Sequence, residues 1–214
     1  MNTDLLRTIT PNEVETYHRD GVLKLPGMFD KDWIELLNKG LDANCESPTE
    51  RARIWDKDAS GRTMFYDNTA WRGINEYRKF IFNSPAAQIC GQLTKATTIN
   101  FFFDAVFVRS PVTKFETPWH QDEPYWSIEG YDACTLWMPL VTVKQKNALS
   151  FVPGSHRLNS VFNQYNFGNL THNPKDQVDF SDIAEKEFPD INADPVRFGV
   201  VSWEMQPGDC IAFN

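Results

Sequence analysis

Trp119-His120-Gln121-Asp122 is the stretch of this 214-residue chain that says most about its fold and chemistry. Side chains two residues apart project to the same face of a β-strand, so a strand here would place the His120 imidazole beside the Asp122 carboxylate. An imidazole and a carboxylate, joined by a second imidazole from elsewhere, form a metal-binding face that leaves positions open for oxygen chemistry. The triplet alone also fits an interior His followed by a turn-forming Asp.

The chain around this stretch changes from helical to β character. Before it, a helix-start pattern at residues 10–13, a capping Asp30 and the Ser84-Pro85 pair predict three helices, and residues 22–25 alternate like a strand. Residues 46–79 look irregular. From residue 97, short segments rich in Phe and Val alternate with turn residues, at 98–108, 132–143, 148–152, 200–205 and 208–213. This order predicts a sandwich or a jelly-roll barrel.

Composition argues against several classes of protein. A net charge of −8 disfavours nucleic-acid binding, which selects basic surfaces. No apolar run approaches the roughly 20 residues of a membrane span, and residues 1–4 do not resemble a signal peptide. The four Cys are scattered and are typical of reduced thiols in a cytosolic protein. We therefore expect a cytoplasmic protein with a small-molecule substrate and neither a nucleic-acid nor a membrane partner.

Several further segments resemble one family. They are residues 17–26 (Tyr-His-Arg-Asp-Gly-Val-Leu-Lys-Leu-Pro), 107–111 (Phe-Val-Arg-Ser-Pro), 149–157 with its Pro-Gly-Ser-His turn, 208–213 with its Gly-Asp start, and Trp137. Together with the His-Gln-Asp triplet they resemble the phytanoyl-CoA dioxygenase family of iron(II)- and 2-oxoglutarate-dependent oxygenases. The resemblance implies a mainly β fold with N-terminal α-helices, built on a double-stranded β-helix (a cupin-like jelly roll). It implies one domain over residues 1–214, with a helical part and flap at 1–96 and the jelly-roll core at 97–214.

The resemblance also implies a set of cofactors and ligands. His120 and Asp122 would hold iron(II), with 2-oxoglutarate and O₂ as co-substrates. Gln121 and Trp137 would lie beside the 2-oxoglutarate, although strict strand alternation points Gln121 away from the metal and Trp137 also fits an ordinary core aromatic. Arg109 is a further cofactor-binding candidate that either faces an anionic group or supports its loop.

The third metal ligand is the open question at this stage. In the family, a distal His and then a 2-oxoglutarate-binding Arg follow a strand like residues 208–213, and the sequence ends at Asn214. We therefore expect both residues, and the last strands of the jelly roll, beyond Asn214. Within the chain, His172 and His156 are candidate substitutes, although His156 is better suited to bracing its Pro-Gly turn. His18 falls in the first predicted helix.

Candidate substrate residues lie on both sides of the metal motif. Tyr125 and Trp126 could form an aromatic wall or pack in the core, and Phe103 is chosen from the alternating Phe101–Phe103 run. The locally basic segment 51–79 suits a flap over the barrel mouth, in which Arg62 and Arg72 would bind an anionic group of the substrate. A solvated loop without a binding role is the alternative.

These inferences predict a dioxygenase that hydroxylates a small organic molecule. Related halogenases carry a small residue in place of the carboxylate, so Asp122 favours hydroxylation over halogenation. Two alternatives remain open. One is a jelly-roll binding module without a metal, and the other is an oxygenase with the same cofactors that performs desaturation, epimerisation or cyclisation.

Overall fold

The computed structural model describes residues 1–55, 64–110, 117–128, 130, 132–158, 162 and 189–214. In this part of the chain the four α-helices lie within residues 11–94, interleaved with the first three strands. They are α1 (Pro11–Asp20), α2 (Lys31–Glu46), α3 (Asn75–Asn83) and α4 (Ala86–Thr94). The strands are β1 (Val22–Leu25), β2 (Arg53–Trp55), β3 (Met64–Asn68), β4 (Ala105–Arg109), β5 (Thr135–Trp137), β6 (Ser150–Phe151), β7 (Val201–Ser202) and β8 (Cys210–Phe213).

The central strand is β8, which pairs antiparallel with β1 on one edge and β5 on the other. Its residues Cys210, Ile211 and Ala212 are fully buried. Cys210 and Ala212 face a core that contains residues of α1 and α4, whereas Ile211 packs on the opposite side against Val22 and Met205. This continuous apolar run is typical of a strand covered on both faces.

The second sheet joins segments from either side of residue 97. Strand β3 pairs antiparallel with β2 and with β4, so that Phe65 lies opposite Val108 and Tyr66 opposite Phe107. A third sheet consists of β6 and β7. The described residues of the segment 51–79, which we expect to form a flap, include β2, β3 and the start of α3.

The three predicted helices are confirmed, and the structure adds α3 within a region that we expected to be irregular. Helix α3 has no side-chain cap, so the sequence lacks the capping pattern that usually indicates where a helix begins. Burial of Tyr77 against Leu37 and Ala70 stabilises this helix. Helices are more extensive than strands in the described residues, so a mainly β fold is not established here. No helix of the described chain is long and apolar enough to cross a membrane.

The junction between α1 and β1 depends on a close approach of two distant segments. Gly21 ends α1 with a left-handed φ of 69°, and its amide donates to the Tyr17 carbonyl. A Cβ on Gly21 would overlap Nδ1 of His156, whose Nε2 is 3.3 Å from the His18 carbonyl oxygen. The Gly154 amide also donates to the Asp20 carbonyl at 2.7 Å. His156 therefore braces this junction, as its place in a Pro-Gly turn suggested.

We expect Gly21→Ala to destabilise the fold by about 2 kcal/mol or more, because the new methyl group meets the His156 ring and the left-handed backbone disfavours a side chain. Urea unfolding would measure the loss. Gly27→Ala is the matched control, since Gly27 has a φ of 64° and a methyl group placed there would have no neighbouring atom within 4 Å, and it should cost only about 1 kcal/mol. Equal losses in the two variants would contradict the proposed contact.

A buried carboxylate connects α2 with β3. Asp67 is fully buried and accepts hydrogen bonds from the Asn44 amide at 2.8 Å, from the Thr49 hydroxyl and amide at 2.5 and 2.8 Å, and from the Asn68 amide at 2.9 Å. Burial alone would raise the pKa of Asp67, but the bonds from Thr49 and Asn44 outweigh it and hold the pKa below its ordinary value. The charged carboxylate therefore stabilises the turn that follows α2.

Because the pKa of Asp67 is lower in the folded protein, its contribution to stability is complete above the ordinary value of 3.8 and is lost as the pH falls through the lowered value. We expect Asp67→Asn to reduce the free energy of unfolding by about 2 kcal/mol at pH 7 and by less near pH 3. Urea unfolding at both pH values tests this. Asp42→Asn, at an exposed position of α2, should leave both values unchanged. A pH-independent loss in Asp67→Asn would contradict the expectation.

Candidate metal centre

His120 and Asp122 lie together in the structure, but a strand does not position them. Nε2 of His120 is 3.2 Å from Oδ1 of Asp122. Residues 117–121 carry no strand pairing, and Asp122 adopts a right-handed helical backbone (φ −79°, ψ −36°) that starts a 3₁₀ turn at Glu123–Tyr125. The two side chains therefore converge because the chain turns at Asp122, and the strand alternation expected from the sequence is wrong here.

The orientation of the His120 ring is set by the backbone. Nδ1 lies 2.8 Å from the Pro118 carbonyl oxygen, which can only accept, so Nδ1 carries the proton. Nε2 then faces Asp122, where it donates to the carboxylate when the ring is protonated and offers its lone pair to a metal cation when the ring is neutral. A second hydrogen bond that fixes the tautomer in this way is usual for metal-binding histidines.

The surroundings of His120 act on its pKa in opposite directions. Burial lowers the pKa, but the hydrogen bonds to Asp122 and Pro118 outweigh burial and raise it above the ordinary value. A nearby negative charge that attracts a proton also attracts a metal cation. The pair therefore forms a compact binding site for a positive charge.

Trp119 and Gln121, the residues on either side of His120 in the sequence, form hydrogen bonds with distant parts of the chain. Trp119 donates from Nε1 to Oδ1 of Asn192 at 2.9 Å. Oε1 of Gln121 accepts from the Phe162 amide at 3.0 Å. Asn192 and Phe162 were not among the candidates, and the sequence offered no signal for them, because they lie 73 and 41 residues from their partners.

The Tyr125 ring lies against the pair, and the next residue, Trp126, belongs to a second group of rings. The Tyr125 ring meets the His120 ring edge to face, with centroids 6.1 Å apart. Trp126 contacts Phe102 and Phe103 in the same manner, with centroids 6.2 and 6.4 Å away. Tyr125 therefore contacts His120, and Trp126 contacts Phe103; an aromatic wall formed by the three residues stays a prediction.

The other predicted residues lie elsewhere or outside the described residues. Trp137 is half-buried in β5 opposite Ile211 and packs against the Ile211 core, which fits the core alternative. Arg109 is the exposed last residue of β4. Arg72 lies over the Trp71 ring at 5.8 Å. Arg62 and His172 fall outside the described residues.

His120 and Asp122 would provide two of the three protein ligands that an iron site of this kind needs. An imidazole nitrogen and a carboxylate oxygen are two of the three protein ligands in the 2-His-1-carboxylate arrangement. Among the described residues, no group of three His, Cys, Asp or Glu side chains could hold a metal ion together. His156 is engaged at the Gly21 junction. A third protein ligand would therefore come from outside the described residues.

Comparison with known families decides the class of the protein. A sequence model of the phytanoyl-CoA dioxygenase (PhyH) family matches residues 17–214. The chain belongs to the phytanoyl-CoA dioxygenase family. The resemblance drawn from the sequence motifs is confirmed, and the chain is an iron- and 2-oxoglutarate-dependent oxygenase by class. A search of curated protein sequences found no significant match.

Solved structures of the same kind share the fold. The non-heme α-ketoglutarate-dependent carbocyclase SnoK from nogalamycin biosynthesis is 20% identical with a TM-score of 0.73, covering 100% of this chain and 78% of SnoK. EctD from S. alaskensis with bound Fe is 14% identical with a TM-score of 0.67, covering 100% and 73%. EvdO2 from Micromonospora carbonacea var. aurantiaca complexed with 2-oxoglutarate is 17% identical with a TM-score of 0.64, covering 98% and 82%.

The bond between Gln121 and Phe162 predicts a structural effect of substitution at this position. We expect Gln121→Leu to lower the free energy of unfolding by about 1 kcal/mol, because it removes the oxygen that accepts the hydrogen bond from the Phe162 amide. Gln121→Glu keeps an oxygen acceptor and should retain most of the stability. Urea unfolding compares the two variants with the parent protein. Equal stability of Gln121→Leu and the parent would show that the bond contributes nothing.

Proposed function

We propose that the protein is an iron(II)- and 2-oxoglutarate-dependent hydroxylase of a small organic molecule that carries an anionic group. The observation that supports this most directly is the 3.2 Å approach of His120 Nε2 to Asp122 Oδ1, with the imidazole tautomer fixed by Pro118. The family assignment adds the cofactors. Asp122 fills the ligand position that is small in related halogenases, which favours hydroxylation.

In this proposal His120 and Asp122 hold iron(II), and a third protein ligand lies outside the described residues. Bound iron, 2-oxoglutarate and O₂ together supply an oxidative decarboxylation that yields succinate and CO₂ and oxidises the substrate. The chain's own contribution is to orient the two ligands and to limit access of water. The Pro118 carbonyl holds the imidazole, and the Tyr125 ring covers one side of it.

The other candidate residues keep their proposed roles. Gln121, Trp137 and Arg109 are our candidates for contacts with 2-oxoglutarate, and a guanidinium is the group best suited to grip a carboxylate. Tyr125, Trp126 and Phe103 form the proposed wall of the substrate pocket, which their ring contacts support. Arg72 and Arg62 are the proposed partners of the substrate's anionic group.

We propose a double-stranded β-helix for the whole chain, as one domain over residues 1–214 in the cytoplasm. The central place of β8 between β1 and β5 supports this architecture, as does the likeness in fold to SnoK. The same fold serves other outcomes, since SnoK is a carbocyclase and SnoN, 18% identical with a TM-score of 0.59, is an epimerase. Cyclisation or epimerisation is therefore the second candidate reaction.

Formation of succinate from 2-oxoglutarate tests the proposed class directly. With iron(II) and O₂ present, we expect the protein with all three iron ligands in place to form succinate, and Asp122→Asn to lower the rate at least about tenfold, because an amide neither carries the charge nor binds iron as strongly. Glu123→Gln is the matched control, because it neutralises the neighbouring exposed carboxylate and should leave the rate unchanged.

Two results would contradict the proposal. One is the absence of succinate from a parent protein that carries all three iron ligands, at saturating iron(II). The other is a rate in Asp122→Asn equal to that of the parent, which would exclude this carboxylate as an iron ligand. Hydroxylation is then distinguished from cyclisation and epimerisation by the mass of the product, since only hydroxylation adds one oxygen atom.

A further inference from the structure

Five side chains form an exposed surface patch that the proposed iron site does not use. Trp71, Phe82 and Phe101 meet edge to face, with centroids 5.7 Å apart for Trp71–Phe82, 5.8 Å for Trp71–Phe101 and 6.5 Å for Phe82–Phe101. The guanidinium of Arg78 lies 5.4 Å from the Trp71 ring and 5.5 Å from the Phe82 ring, and that of Arg72 lies 5.8 Å from Trp71. We call these five residues the arginine–aromatic patch.

The patch is built by local structure. Arg78 and Phe82 lie four residues apart on α3 and so share one helix face, while Trp71 and Arg72 come from the 3₁₀ turn Ala70–Arg72 just before it. Phe82 is 57% exposed and Phe101 39% exposed. Rings this large are usually covered, and a group of them at the surface marks a binding site more often than an isolated one does.

The two arginines of the patch lack a carboxylate partner in the described structure. The ring faces hold both guanidinium groups by cation–π attraction, which does not use up their N–H donors. Two acidic residues lie near the patch, and neither forms an ion pair with Arg72 or Arg78 among the described residues. Glu76 packs toward α2, where its Cβ is close to Gly40, and Asp104 accepts a hydrogen bond from the Trp71 amide at 3.2 Å. In a chain of net charge −8 the patch is therefore a local site for an anion.

The patch adjoins the aromatic wall of the proposed substrate pocket. Phe101 contacts Trp71 and Phe82, and Phe102 and Phe103 contact Trp126, which follows Tyr125 and the metal pair. Residues 101 and 103 are at most about 7 Å apart along the backbone. The short segment 101–103 therefore contacts both Trp71 of the patch and Trp126, which follows Tyr125.

We propose that the arginine–aromatic patch binds an apolar or aromatic molecule through its anionic group, and that this molecule is the substrate. Arg78 and Arg72 would donate hydrogen bonds to a carboxylate or a group of similar charge, while the ligand body covers Phe82 and Phe101. The proposal rests on the proposed function for the identity of the ligand as substrate. It adds Arg78, Trp71, Phe82 and Phe101 to the candidate residues, of which only Arg72 was predicted from the sequence.

Binding of 2-naphthoate, with 2-naphthylmethanol as the uncharged probe of the same shape, tests this without iron, 2-oxoglutarate or turnover. Ligand-observed NMR titration of the full chain gives both affinities. We expect saturable binding of 2-naphthoate, and a loss of about fivefold in Arg78→Gln and in Arg72→Gln, because each variant removes a charged donor. The affinity for 2-naphthylmethanol should stay the same in both. Phe82→Ala should weaken both probes.

Lys79→Gln is the matched control, because Lys79 is an exposed cation on the same helix without a ring contact to the patch. It should leave the 2-naphthoate affinity unchanged. The proposal is overturned if the parent protein shows no saturable 2-naphthoate binding, if Arg78→Gln binds as well as the parent, or if Lys79→Gln loses as much as Arg78→Gln. Urea unfolding of each variant shows that it is folded. The titration contains no iron or 2-oxoglutarate, so a failure of the patch to bind 2-naphthoate is distinguished from an absence of oxygenase activity.

Discussion

Burial of β8 on both faces and both edges is the constraint on which this structure depends. Its backbone groups are satisfied by β1 on one side and β5 on the other, and its side chains supply apolar surface to two cores at once. This arrangement requires β1 and β8 to pair, although the two strands are far apart in the sequence. The helices α1 and α4 then have a fixed surface on which to pack, and β5 leads the chain back from the region of the metal motif.

Much of this could be predicted from the sequence where the signal is local. The capping pattern at Thr10 and the capping Asp30 gave the starts of α1 and α2, because a cap is decided by residues three positions apart. Helix α3 lacked such a cap and was missed. The metal pair was found for a partly wrong reason: His120 and Asp122 do converge, but through a turn at Asp122, which no alternation rule describes.

The parts that the sequence could not provide are those made by contacts across long separations. Neither the bond from Trp119 to Asn192 nor that from the Phe162 amide to Gln121 follows from any short pattern, since an Asn and a backbone amide occur throughout the chain. The same holds for the arginine–aromatic patch. Arg72 stood out because its segment is basic, whereas Arg78 becomes a candidate only once α3 places it over two rings. The basic composition of the segment identified the arginines, and only the fold showed which aromatic rings lie beside them.

The contact between Gly21 and His156 has a consequence for how this chain can change over time. The Asp-Gly end of α1 and the Pro-Gly-Ser-His turn are separate motifs in the sequence, yet the ring of one occupies the space that a side chain at the other would need. The residue types allowed at positions 21 and 156 therefore depend on each other. A larger residue at position 21 becomes tolerable only in a lineage that has first reduced the residue at position 156, so the order of substitutions is constrained as well as their identity.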